Sequence, residues 1–396
     1  MIKAVIQYNC IPHYRRNIFE RLSARKDVEF IIIADSESDT PYLKSVSGGV
    51  IKGIRHVEAK TWKIKIPFLP CLYWQPKSLG YIYREKPDVI ISLGSPYSLT
   101  AWAILVMGKL MNRPVLLWGH GLLGRETGFR WVLRNAFYRL AYGHLLYGNY
   151  AKQLLIEKGF APERLFVVYN SLDYDAQKEV ANSITETEIL SVRSQMSVGE
   201  GEGMVVFTGR LQPVKRLDLL VSAIAKLYLR GRTVHVAFVG DGSEKSVLQN
   251  NARELGVSHL LHFCGESYDE NYLGVIISAS DISVIPSGAG LSVMHALVYG
   301  TPVILHDKID LHFPEWEAVE DGKTGFFYHY NDVDHLANVI EKSIFPVPAK
   351  EQMAEQCKAA IYENYNPAIQ EQLFVDAVRS ASGIAGRNHA KVHRGN

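Results

Sequence analysis

Two cations in one short loop give this 396-residue chain its first chemical signal. In Phe207-Thr208-Gly209-Arg210-Leu211-Gln212-Pro213-Val214-Lys215-Arg216-Leu217-Asp218, Arg210 and Lys215 fall between a β-rich run and a helical pattern. Loops at the carboxyl ends of parallel strands face the ligand crevice of an α/β sheet. Placed there, Arg210 can hold a phosphate bidentately and Lys215 can add a point charge, with each charge-assisted bond worth ~1.5 to 3 kcal/mol. The pair could stabilise a departing diphosphate without a metal ion. The competing account makes Lys215 and Arg216 solvated residues at a helix start. A second segment, Ile282-Ser283-Val284-Ile285-Pro286-Ser287-Gly288-Ala289-Gly290-Leu291, carries a buried strand through small residues into a helical pattern. Glycines there let the backbone approach a phosphate, and a helix N-terminus adds ~0.3 to 2 kcal/mol of attraction for its charge. An ordinary tight strand-helix turn has the same pattern.

Other constellations are weaker. The loop Asn9-Cys10-Ile11-Pro12-His13-Tyr14-Arg15-Arg16 follows the first β-rich run, and the cationic cluster at His13, Tyr14 and Arg15 could bind an anionic acceptor. Gly119-His120-Gly121-Leu122-Leu123-Gly124 formally fits a dinucleotide fingerprint, but the next strand ends in Gly148-Asn149, without the acid that would bind a ribose. A dehydrogenase is therefore disfavoured. The pairs Asp173/Asp175 and Asp332/Asp334 look like metal diads, yet such pairs more often mark helix starts. His306 and His312 lack the spacing of a metal site and are expected to be loop residues. No metal is expected.

Taken together, the segments resemble the family 4 glycosyltransferases of GT-B fold. The resemblance rests on Gly209-Arg210-Leu211 with Lys215 and on the strand-Pro-loop-Gly-Leu segment. It extends through Val239-Gly240-Asp241-Gly242, Phe263-Cys264-Gly265, Gly300-Thr301-Pro302-Val303-Ile304, Pro314-Glu315 and Asp321-Gly322-Lys323-Thr324-Gly325. In the first half, His120 before Gly121 and the closing Asn170-Ser171-Leu172-Asp173 also match. The resemblance implies an acceptor-side first domain, a second domain that binds a nucleoside diphosphate sugar, chemistry in a cleft between them, and transfer with retention. It makes His120, Arg210 and Lys215 the catalytic set. It assigns Gly209, Gly240, Gly265, Glu266, Ser287, Gly288, Gly290, Leu291 and His295 to the donor. The family usually carries two glutamates at the positions of Ser287 and His295, so both carboxylates are replaced in this chain.

The elements that must hold these residues follow from periodicity. Short β-rich runs alternate with amphipathic helical patterns, the sign of βαβ units and parallel sheets. Strands are expected over Lys3–Tyr8, Val28–Ala34, Val89–Leu93, Val115–Trp118, His144–Tyr147 and Leu165–Tyr169. The second half should contribute Met204–Thr208, His235–Val239, Leu261–Cys264, Ile282–Ile285 and Pro302–Leu305. This gives an α/β chain of two Rossmann-like domains facing a central cleft, with a C-terminal helical segment. The expected divisions are 1–175, a polar linker 176–203, 204–345, helices over 346–385 and a flexible tail 386–396.

The composition, 47% hydrophobic and 21% charged with 31 Gly and 16 Pro, excludes disordered and collagenous classes. Residues 1–198 carry 26 Lys and Arg against 17 Asp and Glu, a balance of +9. Residues 199–396 carry 17 against 24, a balance of −7. A net charge of +2 leaves no basic stripe for nucleic acid. Four widely spaced cysteines and no long apolar run point to a cytoplasmic protein without a signal peptide or membrane span. Residues 60–84 mix Trp62, Lys63, Lys65, Phe68, Leu69, Leu72, Tyr73, Trp74, Lys77 and Arg84, a composition suited to an anionic membrane surface or to inward packing. The expected function is sugar transfer from a nucleoside diphosphate sugar to a saccharide acceptor, lipid-linked, at the inner membrane face, in polysaccharide synthesis. The alternatives are an inactive nucleotide-sugar-binding protein and a nucleotide-sugar epimerase.

Overall fold

The computed structural model describes residues 1–36, 51, 53–65, 70–345 and 350–383. The chain divides into two compact units, Met1–Leu172 with Pro367–Asn396, and Asp173–Asn366.

In the first unit, strands β1 (Ile2–Cys10), β2 (Val28–Asp35) and β3 (Arg55–Glu58) precede a two-stranded hairpin of β4 (Trp62–Ile64) and β5 (Leu72–Trp74). Then come β6 (Val89–Leu93), β7 (Val115–Gly119), β8 (Gly143–Leu146) and β9 (Leu165–Val167). The main sheet is parallel, in the order β3-β2-β1-β6-β7-β8-β9. Helices α1 (Arg16–Ser23), α2 (Pro76–Glu85), α3 (Leu99–Leu110), α4 (Gly128–Leu140) and α5 (Asn149–Glu157) connect the strands. The run Val28-Glu29-Phe30-Ile31-Ile32-Ile33-Ala34 shows why β2 sits inside: it is apolar on both faces, as a strand covered by helices on two sides must be. Ile18, Phe19 and Leu22 of α1 fill one face, and Ile82, Ile104, Leu105, Phe137 and Leu155 of α2 to α5 fill the other.

The second unit opens with α6 (Tyr174–Ser183) and α7 (Glu186–Gln195). Its strands are β10 (Gly203–Thr208), β11 (Val234–Val239), β12 (Leu261–Gly265), β13 (Ile282–Val284), β14 (Val303–His306) and β15 (Gly325–Tyr328). They form a parallel sheet in the order β12-β11-β10-β13-β14-β15. The connecting helices are α8 (Leu217–Leu229), α9 (Lys245–Glu254), α10 (Glu270–Ala279), α11 (Leu291–Val298), α12 (Val333–Ile344) and α13 (Lys350–Asn364). The last helix, α14 (Pro367–Ala381), belongs to the first unit. Strand order reverses beside β1 and beside β10, and ligands of open parallel sheets bind at such switch points, outside the carboxyl ends of the strands. Each of the two sequence segments richest in chemistry leaves a strand next to β10 or β10 itself.

Two expected divisions need correction. Residues 176–203 are not an extended linker: α6 and α7 occupy most of them and pack on α10. Their polar residues cap and anchor, since Thr185 and Glu188 form a reciprocal capping box and Arg193 donates to the Ala279 and Glu202 carbonyls. The C-terminal helices are also two elements with different hosts. Pro367, at the first position of α14, ends the run of α13, and Phe374, Val375 and Val378 enter the core with Phe30 and Trp118 of the first unit. The tail expected to be flexible, 386–396, lies outside the described residues, as do Phe68 and Leu69.

Candidate active site

In the second unit the loop after β10 is held by glycine contacts. Gly240, at the end of β11, has φ +154°, and a Cβ there would run into the Gly209 carbonyl oxygen. Only glycine allows this approach. The Gly209 N–H bonds to the Val239 carbonyl at 3.0 Å and the Leu211 N–H to that of Asp241 at 3.0 Å, so Arg210 projects from a fixed stretch of backbone. Gly240 also bridges to Gly265 at the end of β12. Beyond it, exposed Glu266 accepts the Tyr268 hydroxyl at 2.6 Å, with the charge of Arg210 acting on the same phenol.

Lys215 closes a short 3-10 turn, Pro213–Lys215, and its Nζ donates to the Gly288 carbonyl at 2.5 Å. This joins the two segments singled out in the sequence. Burial and the neighbouring Arg210 charge push the Lys215 pKa down to about 8, and no carboxylate pairs with it among the described residues. Lys215 is therefore not a solvated helix-start residue. Arg216 is instead structural: it takes a left-handed conformation, pairs with Asp218 at 3.0 Å and bonds Asn331.

Residues Ser287, Gly288 and Gly290 lead from β13 to Leu291, the first residue of α11, and Ser287 is buried. The loop is pinned from behind. His312 Nδ1 accepts the Ala289 N–H at 3.2 Å, while its Nε2 donates to the His306 carbonyl at 3.1 Å, which fixes the tautomer. Burial and the stacked His306, 4.0 Å away between ring centroids, push the His312 pKa down to about 3, so the ring is neutral. The sequence marked His312 only as a loop residue, because its partner lies 23 positions earlier and no local spacing connects them.

His295 needs the clearest correction. It was expected to face the donor's ribose, but its Nε2 donates to Glu270 Oε1 at 2.7 Å. Glu270 opens α10 and also accepts from the Tyr299 hydroxyl at 2.6 Å and Gln177 at 3.1 Å. A half-buried carboxylate needs such donors. Burial raises the Glu270 pKa, but bonds from His295, Tyr299 and Gln177 outweigh it and hold the group below its ordinary value. Buried Glu315 lies behind the glycine loop, its Oε2 3.9 Å from where a Cβ on Gly290 would stand. Carboxylates from other elements thus lie beside both segments where the helix glutamates are replaced. Asp173 and Asp332 cap α6 and α12, and Asp334 pairs with Lys226, which accounts for three of the four aspartates in the apparent metal diads. Among the described residues no group of three or more His, Cys, Asp or Glu side chains is placed to hold a metal ion.

In the first unit His120 follows β7, and its ring meets Tyr147 edge-on, 4.9 Å between centroids. The residue is exposed at the surface, while the surrounding protein and then the Arg15 charge push its pKa down to about 4. It is a neutral donor-acceptor at pH 7. No helix begins within Gly119–Gly124; α4 starts at Gly128, so the dinucleotide-like spacing has no helix terminus to offer a pyrophosphate. His13 is exposed, with its ring 5.9 Å from that of Tyr14, whereas Arg15 points into the core of the unit.

Similarities to known proteins run through both halves of the chain. Residues 14–176 match the family model described as Glycosyltransferase Family 4, and residues 191–360 match that of Glycosyl transferases group 1. Both halves of the chain therefore carry domains of glycosyltransferase families. A D-inositol 3-phosphate glycosyltransferase of Nocardia farcinica is 32% identical over 279 residues, covering 68% of this chain and 56% of that protein. Its counterpart in Corynebacterium aurimucosum is 30% identical over 204 residues, 49% of this chain and 46% of the relative. The chain spans about half the length of the curated relatives it matches. Among solved structures, Anabaena HepE in complex with UDP superposes with TM-score 0.72 at 18% identity, covering 96% of this chain and 100% of HepE. The lipopolysaccharide outer core galactosyltransferase WaaB gives 0.68 at 15% identity, over 96% and 99%. These likenesses establish the fold as GT-B.

Proposed function

We propose that this protein transfers a hexose-like unit from a nucleoside diphosphate sugar to a saccharide acceptor, with retention at the anomeric carbon. The observation that carries the proposal is Lys215: a cation with a lowered pKa, seated on the Gly288 carbonyl at the mouth of a glycine loop, with Arg210 adding charge nearby. Two neighbouring cations suit a diphosphate whose negative charge grows as the glycosidic bond breaks. Helix α11 adds its N-terminus on the same side, and the fixed tautomer of His312 holds the loop. Neutral His120 can exchange hydrogen bonds with sugar hydroxyls without adding charge. HepE is known in complexes with UDP and with UDP-glucose, which makes UDP-glucose the first donor to test.

The reaction is proposed to proceed without a metal, since Arg210, Lys215 and the α11 N-terminus occupy the role a divalent ion would serve. Activity should persist in excess chelator; transfer abolished by chelation and restored by manganese would contradict this. The acceptor is proposed to be lipid-linked and the protein to work in cell-surface polysaccharide synthesis, at the inner face of the membrane. No helix among the described residues is long and apolar enough to cross a membrane. The deciding experiment incubates the protein with UDP-glucose and saccharide acceptors and follows the sugar. Donor loss with a linked product supports transfer. The absence of Glu at 287 and 295 favours one rival, a nucleotide-sugar-binding protein, which would bind UDP-glucose and form no product. An altered sugar still joined to the nucleotide would indicate an epimerase.

A further inference from the structure

Among the described residues, the first unit buries a charge with no carboxylate beside it. Arg15 is 3% exposed. Its guanidinium carbon lies 4.1 Å from the ring centroid of Trp118, 4.9 Å from Tyr8, 5.3 Å from Tyr147 and 5.8 Å from Tyr14. One terminal nitrogen donates to the Tyr147 hydroxyl. Among the described residues, Nε and the other terminal nitrogen have no hydrogen-bond partner, and neither has the indole N–H of the fully buried Trp118. The groups that act most strongly on Arg15 are tyrosines, and no carboxylate is among them. Aromatic faces attract a guanidinium but accept none of its hydrogen bonds along the N–H axes, so the box satisfies the charge only in part. Unused donors in a dry site are costly, and the group that would complete this one is an acceptor with negative charge.

We propose that Arg15 and Trp118 form an anion subsite, which binds a phosphate or carboxylate group carried by the acceptor saccharide. The assignment to the acceptor rests on the transferase reading above, in which the donor's own diphosphate is served by Arg210 and Lys215 in the other unit. The place in the fold agrees with a ligand site, because Arg15 lies in the loop after β1, at the switch point of its sheet, and Trp118 is the penultimate residue of β7, two residues before His120. The orphaned nitrogens separate this site from an ordinary cation–π core. A core arginine would have its N–H groups on backbone carbonyls.

The test titrates inorganic phosphate and, separately, glucuronate against tryptophan fluorescence and thermal unfolding, at constant ionic strength set with chloride. It is run in the Arg210→Ala/Lys215→Ala background, so that anions held by the diphosphate clamp do not count. One or both probes should stabilise the protein, and which of them does so assigns the phosphate or carboxylate source. Arg15→Gln should weaken that binding at least tenfold. Trp118→Phe keeps the ring and loses only the indole N–H, so it should weaken binding about three- to tenfold with little change in unfolding without anion, on the scale of one hydrogen bond. The second variant decides the matter if Arg15→Gln fails to fold. No stabilisation by either probe, or equal affinity in the parent and Trp118→Phe, overturns the subsite. UDP binding by the native protein tests the transferase reading separately. If UDP binds but no anion binding depends on Arg15 or Trp118, the subsite fails alone. If the anion binds and UDP does not, the subsite stands and its assignment to a sugar acceptor falls.

Discussion

Lys215 carries a charge into a place that disfavours it. Its pKa, lowered from 10.5 to about 8, means that the free protein loses the proton as pH rises through about 8. Nucleoside diphosphate affinity should therefore fall between pH 7 and 9, and Lys215→Arg, whose charge does not titrate in this range, should flatten the profile. Stability has the opposite sign. Between about 8 and 10.5 the unfolded chain holds a proton that the folded chain has released, so folding gains with pH there, and the penalty of the charge is fully present below 8. Lys215→Met should then raise the unfolding temperature of the ligand-free protein at pH 7 by about 2 to 4 °C, the shift expected of roughly 1 kcal/mol. Replacing Arg210 or Lys215 with Ala should lower turnover by about 10- to 1000-fold. Normal turnover in both would remove them from the site. The pairing of Arg210 with Lys215 was legible in sequence because they lie five residues apart in one loop. His312 was not, since it reaches Ala289 only through the tertiary fold.

Helix α11 supplies the prediction at the scale of elements. Its His295 contacts Glu270 of α10, which also gathers Gln177 of α6 and Tyr299 at the end of α11, so the carboxylate ties three helices together. His295→Ala should lower stability by about 1 to 3 kcal/mol, since a half-buried carboxylate then loses one of its donors. Donor affinity among folded molecules should change little. Glu270→Gln isolates the charge from the packing. A loss of affinity as large as in the Arg210 variant, with unfolding unchanged, would return His295 to the donor site. The elements themselves were largely readable, because buried parallel strands such as Val28–Asp35 and Val234–Val239 are continuous apolar runs. The strands that escaped had other patterns. Arg55–Glu58 buries only Val57 along an edge, and Gly325–Tyr328 opens on a residue that disfavours strands, where a Cβ would meet the Val303 backbone. The polar run before β10 looked like a linker because α7 buries no residue of its own and depends on capping and on Arg193.

At the scale of the whole molecule, the sequence places its positive charge in the first half, and the structure puts apolar groups on the outside of the same unit. In the β4-β5 hairpin Trp62 is 57% exposed, with Lys63 on the neighbouring position and Lys65 just beyond. Helix α3 packs against β5, α2 and α4, and Tyr83 of α2 and Phe129 of α4 are also exposed, the latter by 80%. Tyr73 and Trp74 of the same segment are partly covered. Exposed rings beside lysines suit the interface of an anionic bilayer, where rings sit at headgroup depth and each cation contributes about 1 kcal/mol. Vesicles with anionic lipid should retain the protein at low salt and release it as the Debye length falls from about 30 Å at 0.01 M to about 8 Å at 0.15 M. Changing Lys63, Lys65 and Lys77 together to Glu should weaken retention by at least about a hundredfold, the equivalent of three lost contributions of about 1 kcal/mol. Trp62→Ala should weaken it further without altering the salt dependence, because ring burial is not screened. Co-sedimentation with neutral and anionic vesicles across a salt series separates the two contributions. Equal retention on neutral vesicles at every salt concentration would leave the lysines without a role, and no retention on either would leave the exposed rings of this face without a membrane to meet.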